Sequence, residues 1–259
     1  MNDLASVFAS SSVATIAVMV GLWLLSLRLR NASIIDIYWG PGFAVIAWVA
    51  CAVANSEGPR TLIVPILATL WGLRLGGYLF VRNRGKPEDY RYAAMRRHHG
   101  ASFVWVSLLT VFGLQAVLML IVSLPLQAVQ AATPQPSLGL LDAAGITLFI
   151  VGLTFESIGD YQLACFKADP ANAGKVMNRG LWSWTRHPNY FGDFTLWWGF
   201  GCFGLAVGAW WALVGQLIMS VLRMRVSGAA LLERGLHKTK PGYAEYVART
   251  SAFFPRPPT

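Results

Sequence analysis

The chain has 259 residues, of which 55% are hydrophobic and only 13% charged, with 11 Trp and 14 Phe. Soluble domains carry about a quarter of their residues as charges, so this composition excludes an ordinary soluble fold and predicts a membrane protein. The formal net charge of +9 does not point to nucleic acid, because the basic residues lie in short blocks beside apolar runs, the pattern of the positive-inside rule.

The first apolar run, Val13 to Leu29, is closed by Arg28 and Arg30. With no basic segment before it and no small-residue cleavage site, it reads as a retained span and not as a signal peptide. A second run, Ile34 to Ala54, places Asp36 near its entry, and Gly40-Pro41-Gly42 is expected to interrupt the helix there. Span three, Thr61 to Val81, holds Arg74, either a snorkelling anchor or a partner for Asp36 or an anionic ligand. The basic stretch Arg82 to Gly100 reads as a cytoplasmic anchoring loop or as a contact for phosphate or an anionic headgroup. Span four, Phe103 to about Leu124, carries Gln115 and is followed by the uncharged PLQAVQAATPQPS. Span five covers about Leu138 to Ile158.

The apolar run after Asp193 continues to Arg223. Two crossings with a turn near Gly204 to Gly208 keep almost every Lys and Arg on one side; one crossing would send the basic tail to the other. Helix six then starts near Pro188, and helix seven continues past Arg225 through VSGAALLERGL. The expectation is an all-α polytopic membrane protein: a seven-transmembrane helix bundle forming a single domain over residues 1–259. Its amino terminus is outside, and residues 82–102, 159–190 and 226–259 form a cytoplasmic mouth. Cys51, Cys165 and Cys202 are too few and too scattered to support a disulfide framework or a thiolate metal site.

Polar groups concentrate between Glu156 and Asp193. Glu156 and Asp160, four apart, share one helix face; they need donors, either Arg and Asn of the 179–189 stretch or the amides and hydroxyls of a nucleotide. In Arg186-His187-Pro188-Asn189-Tyr190, Arg186 is suited to clamping phosphate, His187 to donating a proton, and Asn189 to presenting its amide. Asp193, one turn on, is placed to orient Asn189. Trp182 and Trp184 read as an apolar wall or as interface markers. Glu233, Arg234, Tyr243 and Tyr246 are further candidates for the cytoplasmic mouth.

The segments DIYWGPGF, LWGLRLGGYLFVRNRGKPEDYRY, the block from FESIGDYQL to RHPNYFGDFTLWWG, and ERGLHKTKPGYAEYVARTSAFFP together resemble the bacterial membrane proteins called DUF1295. That family is related to the carboxyl-terminal domain of the steroid 5-alpha-reductases. The resemblance implies a seven- or ten-span enzyme of the bacterial inner membrane that binds NADPH on the cytoplasmic side. The implied reaction is reduction of a carbon-carbon double bond in a steroid-like, isoprenoid or other lipid. It assigns Asp160 and Asn189 to the cofactor, with Arg179, Arg186, His187 and Tyr190 as neighbours. Glu156 stands where the steroid enzymes carry an asparagine, Glu233 or Arg234 falls where they place histidines, and Tyr246 matches a tail tyrosine of the wider family. Trp71 stands where those enzymes have their tyrosine donor, and Asp36 is the acid nearest to their early glutamate. The catalytic candidates are therefore Asp36, Tyr38 and Tyr78.

A similar asparagine-and-proline loop between late spans is found in membrane methyltransferases of the isoprenylcysteine and phospholipid kind, which bind S-adenosylmethionine. That is the alternative enzyme reading, and a lipid-binding protein without catalysis is a third. Each implies a hydrophobic ligand and membrane lipids as partners.

Overall fold

Within a bilayer the backbone must satisfy its own hydrogen bonds, and an apolar chain does so as helices. The computed structural model describes residues 2–54, 56–226 and 240–258. Its helices are α1 (Asn2–Leu29), α2 (Ile34–Val53), α3 (Arg60–Asn83), α4 (Tyr90–His99), α5 (Phe103–Ser107), α6 (Leu114–Val122), α7 (Leu124–Ala131), α8 (Leu140–Ala168), α9 (Pro188–Ala206), α10 (Leu213–Val221) and α11 (Tyr243–Arg249). Among the described residues, five stretches are long and apolar enough to cross a membrane: Leu4–Leu29, Ile34–Val53, Arg60–Asn83, Tyr90–Val122 and Leu140–Ala168. The protein is thus an all-α polytopic membrane protein. α9, with 19 residues, and the shorter apolar segment Trp210–Met224 follow these five.

Contacts divide the chain into two compact units, Met1–Leu138 with Phe203–Gly215, and Gly139–Cys202 with Gln216–Thr259. In the first unit, α2 and α3 approach until their backbones nearly touch. A methyl group on Gly72 would sit 2.5 Å from the carbonyl oxygen of Gly40, so only glycine fits. Trp71 is fully buried beside that contact, and its ring meets Phe43 edge-on at 5.7 Å. The expected interruption at Gly40-Pro41-Gly42 is absent, because α2 runs unbroken from Ile34 to Val53. These small residues let the neighbouring helix in: the Pro41 ring and the carbonyl of Ile37 both lie against Gly76.

Three further boundaries move. The basic stretch after Arg82 is not all loop, since Asp89 caps α4 by accepting from the Arg91 amide at 2.9 Å. The PLQAVQA segment is helical as α7, with its proline in the first turn. Span five does not end at Ile158; α8 continues to Ala168, so Glu156 and Asp160 stand on a helix. Buried Asp142 opens that helix by accepting from the Gly139 amide at 2.8 Å. α9 begins at Pro188, and Gly208, with φ 78°, turns the chain after it, both where the sequence places them.

In the second unit, α8 carries glycines at 145, 152 and 159, and α9 carries them at 192 and 199. Spacing of seven returns a residue to nearly the same helix face. A methyl group on Gly192 would lie 2.5 Å from the carbonyl oxygen of Gly152, and one on Gly199 would lie 2.7 Å from that of Gly145. Gly159 meets the Asn189 backbone nitrogen in the same manner, its methyl position being 3.2 Å away. This seam sets α8 carboxylates beside the start of α9.

Candidate functional site

Besides Asp142 at the start of α8, three acids of the second unit are almost fully buried: Glu156, Asp160 and Asp193 are 3%, 4% and 2% exposed. A buried carboxylate requires donors. Asn189 donates its side-chain amide to Asp160 Oδ1 at 3.0 Å, and its own Oδ1 accepts from the Tyr190 amide at 3.1 Å. The two positions that the resemblance assigns to the cofactor are therefore in direct contact. Asp193, expected to orient Asn189, holds Arg223 instead, accepting from Nε at 2.5 Å. The Arg223 guanidinium lies 5.9 Å from the Tyr190 ring centre and also feels the charge of Glu156. Buried His187 stacks on Tyr190 at 5.6 Å with 15° between the rings.

The segment from α11 onward straps this cluster down. Arg186, expected to clamp phosphate, donates through Nη1 to the carbonyls of Val247 and Thr250, both at 3.1 Å, and its amide donates to Ser251 at 2.9 Å. Thr185 donates through its hydroxyl to the Phe253 carbonyl, and the Arg256 amide to that of Trp184. Phe253 and Phe254 pack edge-on against Phe191 and Phe194. Tyr246 is buried and donates to the carbonyl of Trp182, whose indole nitrogen donates in turn to the carbonyl of Gly159 at 3.0 Å. Tyr246 and Trp182 thus support the turn of α8 that carries Asp160. Arg179 lies exposed at the rim, just before the turn Gly180–Ser183, which Gln162 fixes by accepting from the Leu181 amide. Glu233, Arg234 and the continuation through VSGAALLERGL lie outside the described residues, apart from Val226.

Arg223, Gln162 and Thr185 were not singled out from the sequence. Arg223 was recognisable: an acid such as Asp193 at the head of a long apolar run calls for a cation, and Arg223 is the first one after that run.

The remaining candidates lie in the first unit. Asp36 accepts from Arg91 at 2.8 Å and from the Tyr92 hydroxyl at 2.7 Å, and Gln115 reaches the same hydroxyl at 3.4 Å. The phenol beside Asp36 is Tyr92, a residue read from the sequence as part of an anchoring loop. Tyr38 lies over Gly42, while Tyr78 is flanked by the guanidiniums of Arg74 and Arg82. Nearby, burial opposes ionisation of Glu88, but hydrogen bonds from Arg96 and the Ala32 amide outweigh it and hold its carboxyl below the usual range. Asp89 is lowered in the same way, the hydrogen bonds and charge of Arg91 overcoming its partial burial.

A family model described as a protein of unknown function, DUF1295, matches residues 22–250. The chain belongs to the DUF1295 family. It is also 26% identical to an uncharacterized protein of Schizosaccharomyces pombe over 91% of this chain and 76% of that one. A probable O-methyltransferase of Ustilaginoidea virens is 32% identical over 45% of this chain and 36% of its own length. The chain thus spans about a third of that second relative. No solved structure shows a significant match.

Proposed function

We propose that this DUF1295 protein is a membrane methyltransferase that uses S-adenosylmethionine to methylate a hydroxyl group on a lipid-soluble acceptor. The observation that carries this reading is the set of buried acceptors Glu156, Asp160 and Asp193, with Asp160 bonded to Asn189 and Asp193 to Arg223. Carboxylates accept hydrogen bonds and attract cations. Both cofactors offer ribose hydroxyls and an adenine amine, but S-adenosylmethionine adds two cations, a sulfonium and an ammonium, beside its one carboxylate, whereas NADPH adds several phosphate charges of the same sign as the acids. The similarity to a probable O-methyltransferase supports the same chemistry. All of these carboxylates lie in one unit.

When bound, the cofactor supplies an electrophilic methyl group whose transfer to oxygen turns the sulfonium into a thioether. The chain's own part is binding and orientation. Asp160 and Asn189 fix the polar half of the cofactor, and Arg223 holds Asp193 in place. His187, stacked on Tyr190, supplies a ring nitrogen to take the proton that the acceptor hydroxyl releases. On this reading α9 and Trp210–Met224 are the sixth and seventh crossings of a bundle like that of the steroid 5-alpha-reductases. The amino terminus then faces the periplasm of a bacterial inner membrane, and the 159–190 segment faces the cytoplasm. Arg28, Arg30, Arg82 and Arg84 follow or close spans on that same side, which supports the orientation.

A second reading, the NADPH-dependent reductase of a lipid double bond, is favoured by the Tyr92–Asp36 pair. Asp36 is the acid nearest to the early glutamate of the steroid enzymes, and a phenol in contact with it is the kind of pair that the resemblance implies. One experiment separates the two. The detergent-purified protein is heated with S-adenosylmethionine, S-adenosylhomocysteine, NADPH or NADH. Saturation at a hundred times Kd adds about 2.7 kcal/mol, or roughly 5 °C or more for a chain of this size. The methyltransferase reading predicts that shift with the two adenosyl compounds alone; a shift with NADPH alone supports the reductase and overturns it.

A further inference from the structure

Beyond the end of α3 the chain enters a basic segment whose acids are already taken. Between Arg82 and His99 six Lys and Arg stand against two acids. Both acids are held from within the segment: Glu88 accepts from Arg96 Nε at 3.0 Å and Nη2 at 2.8 Å, and Asp89 accepts from Arg91 Nε at 2.9 Å. Asp36, at the head of α2, accepts from the same Arg91 at 2.8 Å, and Arg82 adds its charge to Asp36 and Asp89. The remaining cations have no such partner. Arg84, Lys86 and Arg97 are exposed, and among the described residues no acid pairs with any of them.

The fold brings these three onto one surface of the first unit. The Lys86 amide donates to the Asn83 carbonyl at 3.0 Å and Gly85 takes a φ of 73°, so the chain turns directly after α3 with Arg84 and Lys86 on either side of the glycine. The two bonds between Glu88 and Arg96 tie the last turn of α4 back to this link, and Arg97 stands on that turn. Internal pairing of the acids therefore does two things: it fixes the shape of the segment, and it leaves the outward charge positive.

Its place along α3 identifies the anion that meets it. Phe80 and Val81 are 55% and 73% exposed, as expected of side chains against acyl chains. Arg84 follows them by about one turn, roughly 5 Å along the helix, which puts the free cations at the level of the headgroups. Tyr90, 70% exposed at the start of α4, is an aromatic residue of the kind enriched at that level. We infer that Arg84, Lys86 and Arg97 form a docking surface for the anionic phospholipid headgroups of the bilayer that holds the protein. Guanidinium and ammonium groups match phosphate oxygens, and clustered cations next to a span attract anionic lipid. A zwitterionic lipid would bring a choline cation to a surface already rich in cations, and a soluble acidic partner would have to work its way to the edge of the bilayer, where anionic headgroups already stand. The surface is independent of either cofactor.

Native mass spectrometry of the detergent-purified protein tests this directly. Wild type is titrated with phosphatidylglycerol, with phosphatidylcholine of the same chains, with glycerol phosphate and with a hexaglutamate peptide. The expected result is tighter retention of phosphatidylglycerol than of the other three. Each cation near the surface contributes about fivefold, so Arg97→Gln weakens retention about fivefold. The triple variant Arg84→Gln, Lys86→Gln, Arg97→Gln brings phosphatidylglycerol down to the level of phosphatidylcholine. None of the three side chains carries a hydrogen bond within the described fold, so the thermal midpoint is expected to stay where it is. Lys175→Gln, an exposed cation of the second unit, leaves retention unchanged. Equal retention of phosphatidylcholine by wild type, or an undiminished preference for phosphatidylglycerol in the triple variant, overturns the surface. Glycerol phosphate or hexaglutamate bound as tightly as the lipid overturns the bilayer as its partner.

Discussion

Two contacts between side chains define the second unit. Asn189 and Asp160 share a hydrogen bond of 3.0 Å, and replacing the amide by Ala leaves a buried carboxylate short of a donor. Asn189→Ala is expected to cost about 1–3 kcal/mol and to lower cofactor affinity at least tenfold; Asp160→Asn, which keeps the shape, is expected to lower affinity with a smaller change in thermal midpoint. The Arg223–Asp193 pair is of a different kind, with Asp193 only 2% exposed on its side chain. Removing the cation strands that charge, so Arg223→Ala is expected to lose about 3 kcal/mol. The double variant with Asp193→Asn is expected to recover part of it. Full additivity of the two substitutions would contradict the pairing. Asp160 and Asn189 were marked by their residue types within one polar block, and Tyr246 by its place in the tail. Arg186 was also marked, as a phosphate clamp, but the carbonyls of Val247 and Thr250 hold its Nη1. A sequence shows that an arginine is present; it does not show that a strap sixty residues later will reach it.

Helix against helix, glycine decides. The seam between α8 and α9 depends on Gly152 and Gly192, where any side chain would collide with backbone that has no means of moving aside. Gly192→Ala is expected to destabilise the protein by about 1–3 kcal/mol and, by pushing α9 away, to lower cofactor affinity as well. Gly77→Ala on the open face of α3 serves as the control and gains up to about 1 kcal/mol of helix propensity. The seven-residue spacing of these glycines is present in the sequence, yet hydropathy reads them as neutral and they were missed. Boundaries failed for a related reason. α8 continues ten residues beyond the apolar run because a polar helix is as sound as an apolar one once it leaves the bilayer; hydropathy marks the edge of the lipid and not the end of the helix.

Over the whole molecule, composition and charge pattern were enough to recognise an all-α polytopic membrane protein, and five long apolar helices agree with them. The division into two compact units was not legible, because it depends on which helices pack together and on a chain that returns at Phe203 to the first unit and at Gln216 to the second. The first unit carries its own pH dependence. Glu88 and Asp89 are both held below their ordinary values of 4.5 and 3.8. A lowered folded value means that the bonds from Ala32, Arg91 and Arg96 contribute fully above those ordinary values. That contribution fades as the pH falls through the lowered ones. Thermal midpoints are therefore expected to be flat from about pH 7 to 5 and to decline below about 4.5, with Glu88→Gln showing a lower plateau and a shallower decline.

The central claim is that buried carboxylates at the α8–α9 seam hold a methyl donor. Its most direct test is transfer of label to lipid: membranes containing the protein are incubated with total lipid extract and either methyl-tritiated S-adenosylmethionine or NADPH tritiated at its transferable hydride. The account predicts tritium in the organic phase from S-adenosylmethionine, falling at least tenfold with Asp160→Asn in protein that remains folded. Label arriving only from NADPH, or undiminished transfer from S-adenosylmethionine by that variant, would contradict it.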